Sequence, residues 1–117
     1  GKPKWVSHCH CQSCRRATAS AFATFVGFDK LRIKVRGMRH VGIFKSSPDV
    51  KRYFCKNCGS PLAFEGALWP GELHIHVGIL DTPELVRPQS HVNVRHKLPW
   101  LHLDDGLEQI EGFDTSF

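Results

Sequence analysis

"FATFVGF", residues 22–28, followed by "LRIKVRG", residues 31–37, sets the architecture. The first run sets Phe22, Thr24, Val26 and Phe28 against Ala23, Phe25 and Gly27, two apolar faces that predict a buried strand. The second alternates Leu31, Ile33 and Val35 with Arg32, Lys34 and Arg36, which predicts a half-exposed strand. Outward from these, "RHVGIFK" (39–45) and "VKRYFC" (50–55) read as strands joined through the turn-rich "SSPD". "PLAFEG" (61–66), "ELHIHVGIL" (72–80) and "SHVNVRH" (90–96) read as three more. Within 72–80 the residues Leu73, Ile75, Val77 and Ile79 make one apolar face, so His74 and His76 are expected on an exposed or half-exposed one. Only "CQSCRRATAS" (11–20) has helix-friendly content, enough for one or two turns. The expectation is an all-β fold of about seven or eight short antiparallel strands, with metal-binding loops at one end.

The chain has 117 residues, 41% hydrophobic and 23% charged. That balance argues against disorder and predicts a single domain over residues 1–117, with an acidic tail from about residue 104. No apolar run approaches the roughly 20 residues that a membrane-spanning helix needs. "GKPKW" at the start lacks the apolar segment of a secretory signal, and a cytoplasmic location is the expectation. The formal charge of +5 raises nucleic acid as a partner. The bases are scattered, however, and no recognition-helix pattern accompanies them. Each metal-bound thiolate also adds a negative charge that the count omits, so nucleic acid is not the expected partner.

"SHCHCQSCRR" (7–16) and "FCKNCGS" (54–60) hold all five cysteines. An odd number, with Cys9 and Cys11 one residue apart, is a poor disulfide framework, and C-x-x-C spacing suits metal or redox work. Zinc takes thiolates in tetrahedral sets, and closely spaced pairs supply two ligands from one tight loop. "CKNCG" is such a loop, with Gly59 able to adopt the left-handed backbone that turns amides toward sulfur. The triplet allows two readings. Cys11 and Cys14 with Cys55 and Cys58 would close a structural four-cysteine site and leave Cys9 spare. Alternatively, Cys9, Cys11 and Cys14 hold one ion and leave its fourth position open, as catalytic zinc requires.

"CHCQSCRRATASAFATFVGF", "SSPDVKRYFCKNCGSPLAF", "VGILDTPE" and "HVNVRHKLPW", in this order, closely resemble the glutathione-dependent formaldehyde-activating enzyme family, which includes centromere protein V. The resemblance implies a β-tent fold, zinc, and a carbon–sulfur lyase activity on a glutathione–formaldehyde adduct. It implies a catalytic zinc on Cys9, Cys11 and Cys14. It also implies a structural zinc on Cys55 and Cys58 together with an earlier C-x-C on an N-terminal strand. No cysteine precedes Cys9 here, so Cys55 and Cys58 are open to three readings: free thiols, an oxidised pair, or ligands to a metal shared with the triplet. The strand edge where that earlier C-x-C would sit is expected to be open.

Arg15 and Arg16, directly after Cys14, can balance the charge of a thiolate cluster or grip a carboxylate of a glutathione-like thiol; the plainer reading is a solvated pair on a helical turn. His10 is expected to face solvent. His91 and Trp100 are expected in the core or at its rim, and Phe22, Phe25 and Phe28 in the core. Against the enzyme stands a non-catalytic, zinc-stabilised β module that binds protein or nucleic acid.

Overall fold

The computed structural model describes residues 2–112. Within them eight strands form one sheet: β1 (Trp5–Cys9), β2 (Ala23–Asp29), β3 (Val41–Ser47), β4 (Val50–Cys55), β5 (Pro61–Gly66), β6 (Glu72–His76), β7 (Ser90–Val92) and β8 (Glu108–Gln109). One helix, α1 (Gln12–Thr18), links β1 to β2. The order across the sheet is β3-β4-β5-β6-β2-β1-β7-β8. The all-β expectation holds, but the sheet is mixed: β1–β7 and β7–β8 run parallel, and the other five pairings antiparallel. The reason lies in β1, a strand that the sequence reading missed. After α1 the chain returns antiparallel beside it as β2. The other edge of β1 is left to β7, which arrives by a long connection and can therefore run parallel.

β4 and β5 span the residues expected, and the Pro48–Asp49 turn brings Ser47 opposite Val50. Residues 31–37 form no strand. The Asp29 carboxylate accepts from the Leu31 amide at 3.0 Å and starts a single 3-10 turn, leaving Leu31 92% exposed. This segment must carry the chain from β2 in mid-sheet to β3 at the edge. Ile33, Val35 and Met38 line an apolar groove with Leu73 and Ile75 as it crosses. Its alternation reflects that crossing. The expected strand at 72–80 stops at His76 and that at 90–96 stops at Val92, each followed by a 3-10 turn. Part of the acidic tail pairs as β8 against β7, with the Ile110 amide bonded to the His91 carbonyl at 2.8 Å.

Register assigns the faces, because residues directly opposite share one. Trp5, Ser7 and Cys9 lie opposite Gly27, Phe25 and Ala23, and Phe25 and Gly27 lie opposite His76 and His74. Phe64 faces His74, and Arg52 faces Phe64. His74 and His76 therefore sit on the buried cysteine-bearing face, 4% and 7% exposed, which corrects the expected polar surface. A neutral imidazole packs as an aromatic ring once its N–H has a partner. His74 stacks on Phe64 and meets Trp5 edge-on, and its Nε2 lies 3.0 Å from a Glu72 carboxylate oxygen.

Candidate metal centre

Cys9 ends β1, Cys11 caps α1, and Cys14 lies in the first turn of that helix. The three Sγ atoms lie within 4.8 Å of one another and all three residues are buried. The local cause is the C-x-x-C spacing around a helix start: the Cys14 amide donates to Cys11 Sγ at 3.3 Å, so the first turn folds over that sulfur. Asn93, just past β7 in the left-handed conformation, donates from Nδ2 to Cys9 Sγ at 3.5 Å. These donors favour thiolates.

Without a cation the three sulfurs cannot all ionise. Hydrogen bonds from the Cys14 and Cys9 thiols draw Cys11 down to about 3. The bond to Cys11 is also the main cause that pushes Cys9 up to about 11 and Cys14 upward. In the bare cluster the sulfurs thus compete, with Cys11 favoured as the thiolate over Cys9 and Cys14. A divalent ion that accepts thiolates would release the remaining two protons, so the donor set fits such a metal. Cys9 and Cys14 open onto a chamber of about 350 Å³ whose walls include Trp5, Phe64, Trp69 and His74.

The closed four-cysteine set does not form: the structure gathers Cys9, not Cys55 or Cys58, with Cys11 and Cys14. Cys55 and Cys58 share one tight turn in which Gly59 has φ 79°, as the spacing predicted. Cys58 is exposed, and its bond with Ser60, 3.2 Å between Sγ and Oγ, lowers its thiol. No third cysteine, histidine or carboxylate joins this pair at ligand distance among the described residues.

Arg16 is exposed and lines a second cavity of about 580 Å³ together with Arg52, Tyr53 and His76. Arg15 is half-buried, and its Nε has no partner among the described residues. Arg52, which the sequence reading missed, lies with its guanidinium 5.0 Å from the centre of the Phe64 ring, and its charge acts on Cys11. Only the β4–β5 register, which puts it opposite Phe64, reveals its place. His10 is fully buried, not solvent-facing. Its amide extends the parallel pairing by one bond to the Val92 carbonyl, 3.0 Å, and its Nε2 meets His91 Nδ1 at 2.9 Å. His91 is 1% exposed and Trp100 67%, one in the core and one outside it.

Three buried cysteines that could hold a metal ion, on an all-β sheet, define the class. Residues 1–96 match the glutathione-dependent formaldehyde-activating enzyme family, and the chain belongs to it. A protein of Schizosaccharomyces pombe described as an uncharacterized lyase is 40% identical over 63 residues, 54% of this chain and 44% of its own length. The chain thus spans less than half of that relative. A crystal structure of a Rhodobacter sphaeroides protein is similar with TM-score 0.58 and 22% identity, covering 73% of this chain and 79% of the other, a likeness of fold. No helix among the described residues is long and apolar enough to cross a membrane.

Proposed function

We propose that this chain is a zinc-dependent carbon–sulfur lyase that makes and breaks the adduct of glutathione with formaldehyde. One observation carries the reading: three buried sulfurs converge, and two of them face a chamber large enough for a small thiol adduct. Family membership and the lyase description of the relative support it. Cys9, Cys11 and Cys14 would hold the ion, and zinc there would supply an open position that favours the thiolate form of an incoming thiol.

The remaining work falls to the protein. Trp5, Phe64 and Trp69 keep bulk water away from the carbon that gains or loses sulfur. Arg52 stacks on Phe64, which lines the chamber, and shares the neighbouring cavity with Arg16. A glutathione whose sulfur lies in the chamber can therefore direct its carboxylates past Phe64 toward these guanidinium groups. Arg15 adds positive charge on the same helix. Reduced glutathione and free thiols fit a cytoplasmic setting. A second zinc on Cys55 and Cys58 would need donors from outside the described residues.

The test is the exchange rate between formaldehyde, glutathione and their adduct, followed by magnetic resonance with the zinc-loaded chain. Acceleration is expected. Cys11→Ser should abolish both acceleration and zinc retention, by more than about a hundredfold in affinity. Arg16→Ala should keep the zinc and raise the glutathione concentration needed for half-maximal rate. Unchanged zinc content in Cys11→Ser, or no acceleration by the loaded chain, overturns the reading.

A further inference from the structure

Behind the cysteine cluster, on the other face of the sheet, a second group of donors comes together. The parallel pairing of β1 with β7 puts His8 directly beside His91, so both imidazoles project from the same face. Their rings stack at 4.6 Å between centroids and 27° between planes. Asp105, in the loop before β8, closes the group. A ring nitrogen of each histidine and a carboxylate oxygen of Asp105 all lie within 4.8 Å of one another. His91 is buried, His8 half-buried, and the Asp105 side chain 44% exposed, which leaves an entrance from solvent.

The geometry points to a second metal site, in which His8, His91 and Asp105 bind a divalent transition-metal ion such as zinc or iron(II). Two histidines and one carboxylate are the donor set of open catalytic zinc and of non-haem iron(II). What separates this cluster from an ordinary His–Asp bond is the support behind each ring. His8 Nδ1 lies 2.8 Å from the Thr24 hydroxyl, and His91 Nδ1 lies 2.9 Å from His10 Nε2. Both Nδ1 atoms are thereby engaged, so Nε2 is the nitrogen that each ring would offer an ion. Such outer partners fix tautomer and orientation at metal-binding histidines.

Without metal, His91 Nε2 donates to Asp105 at 2.7 Å. Ligation replaces that bond. His91 then carries its proton on Nδ1 and donates it to His10 Nε2, while His10 carries its own on Nδ1. That Nδ1 is a buried atom with no partner among the described residues, so the ion must also offset the desolvation of its N–H. The pair holds two protons in both states. Asp105 stays anchored through its other oxygen, which accepts from the Leu107 amide at 3.1 Å.

Cobalt(II) tests this, because only thiolate ligands give it a strong ligand-to-metal charge-transfer band. The full chain carrying Cys58→Ser, which disables the later cysteine pair, is titrated with cobalt(II) without reductant metals present. Two equivalents are expected, one with the thiolate band and one showing only ligand-field bands. Adding Asp105→Asn should remove the second and leave the first, which also shows that the variant is folded. A single equivalent with the thiolate band, or a second equivalent that survives Asp105→Asn, overturns the site. A single equivalent without that band supports this site and overturns the reading of the cysteine triplet instead.

Discussion

Asn93 turns the chain and touches the sulfur cluster with the same residue. Its backbone, φ 58° and ψ 38°, is left-handed, a conformation that costs most side chains about 1–2 kcal/mol and that Asn tolerates better than others. The turn ends β7 and starts the 3-10 turn Val94–His96, and it aims Nδ2 at Cys9 Sγ. Asn93→Ala removes the donor and keeps the strain; Asn93→Gly removes both. If the N–H···S bond supports the metal, both variants should bind it about ten- to a hundredfold more weakly. Competition with a chromophoric chelator measures this. A glycine variant that binds as tightly as the parent would show that Asn93 serves the turn alone.

At the scale of elements, β1 decides how the site is enclosed. Trp5 lies across Gly27 on β2, where an added Cβ would come within 2.4 Å of the indole, and its Nε1 donates to Glu72 at 3.1 Å. Gly27→Ala should therefore displace the indole, break that bond and open the chamber, with a loss of about 1–3 kcal/mol. Urea unfolding gives the stability, and quenching of tryptophan fluorescence gives the opening. An unchanged urea midpoint and unchanged quenching would refute that packing. β1 was illegible in the sequence because "WVSHC" runs straight into the cysteine motif and its partners are 14 to 83 residues away, as Cys9 facing Ala23 and Val92 illustrates. β4 and β5 were legible because each is bounded by its own turn chemistry, Pro48–Asp49 before one and Gly59 before the other. Residues 31–37 show the opposite failure. Their period of two was genuine, but the segment carries the chain from β2 in mid-sheet to β3 at the edge, with Ile33 and Val35 beside Leu73 and Ile75, and pairs with no strand.

For the whole molecule, the convergence of the triplet was legible because three cysteines from one short stretch need no tertiary information to come together, whereas the histidines were not. His10, His74, His76 and His91 are all at most 7% exposed, and nothing in a single sequence tells a buried neutral imidazole from a surface one. Their burial makes stability depend on pH, and the sign follows from the direction of the shifts. Burial lowers His74, and lowers His76 to about 4, with the Arg52 charge adding to the latter. In the unfolded chain both titrate near about 6.5. Above that pH neither state binds the proton, and these residues give no slope. Between about 6.5 and 4 the unfolded chain takes up protons that the folded one refuses, so stability falls as pH falls. Below about 4, His76 is charged in both states and its loss levels off, having reached roughly 3 kcal/mol. Comparing urea midpoints at several pH values for the parent and His76→Leu isolates this share, since metal release and the other titrations are common to both. The variant should lose less stability than the parent on going from pH 7.5 to 4.5. Parallel curves would mean that His76 titrates in the fold as it does in the open chain, and that the cysteine-bearing face is wetter than its packing implies.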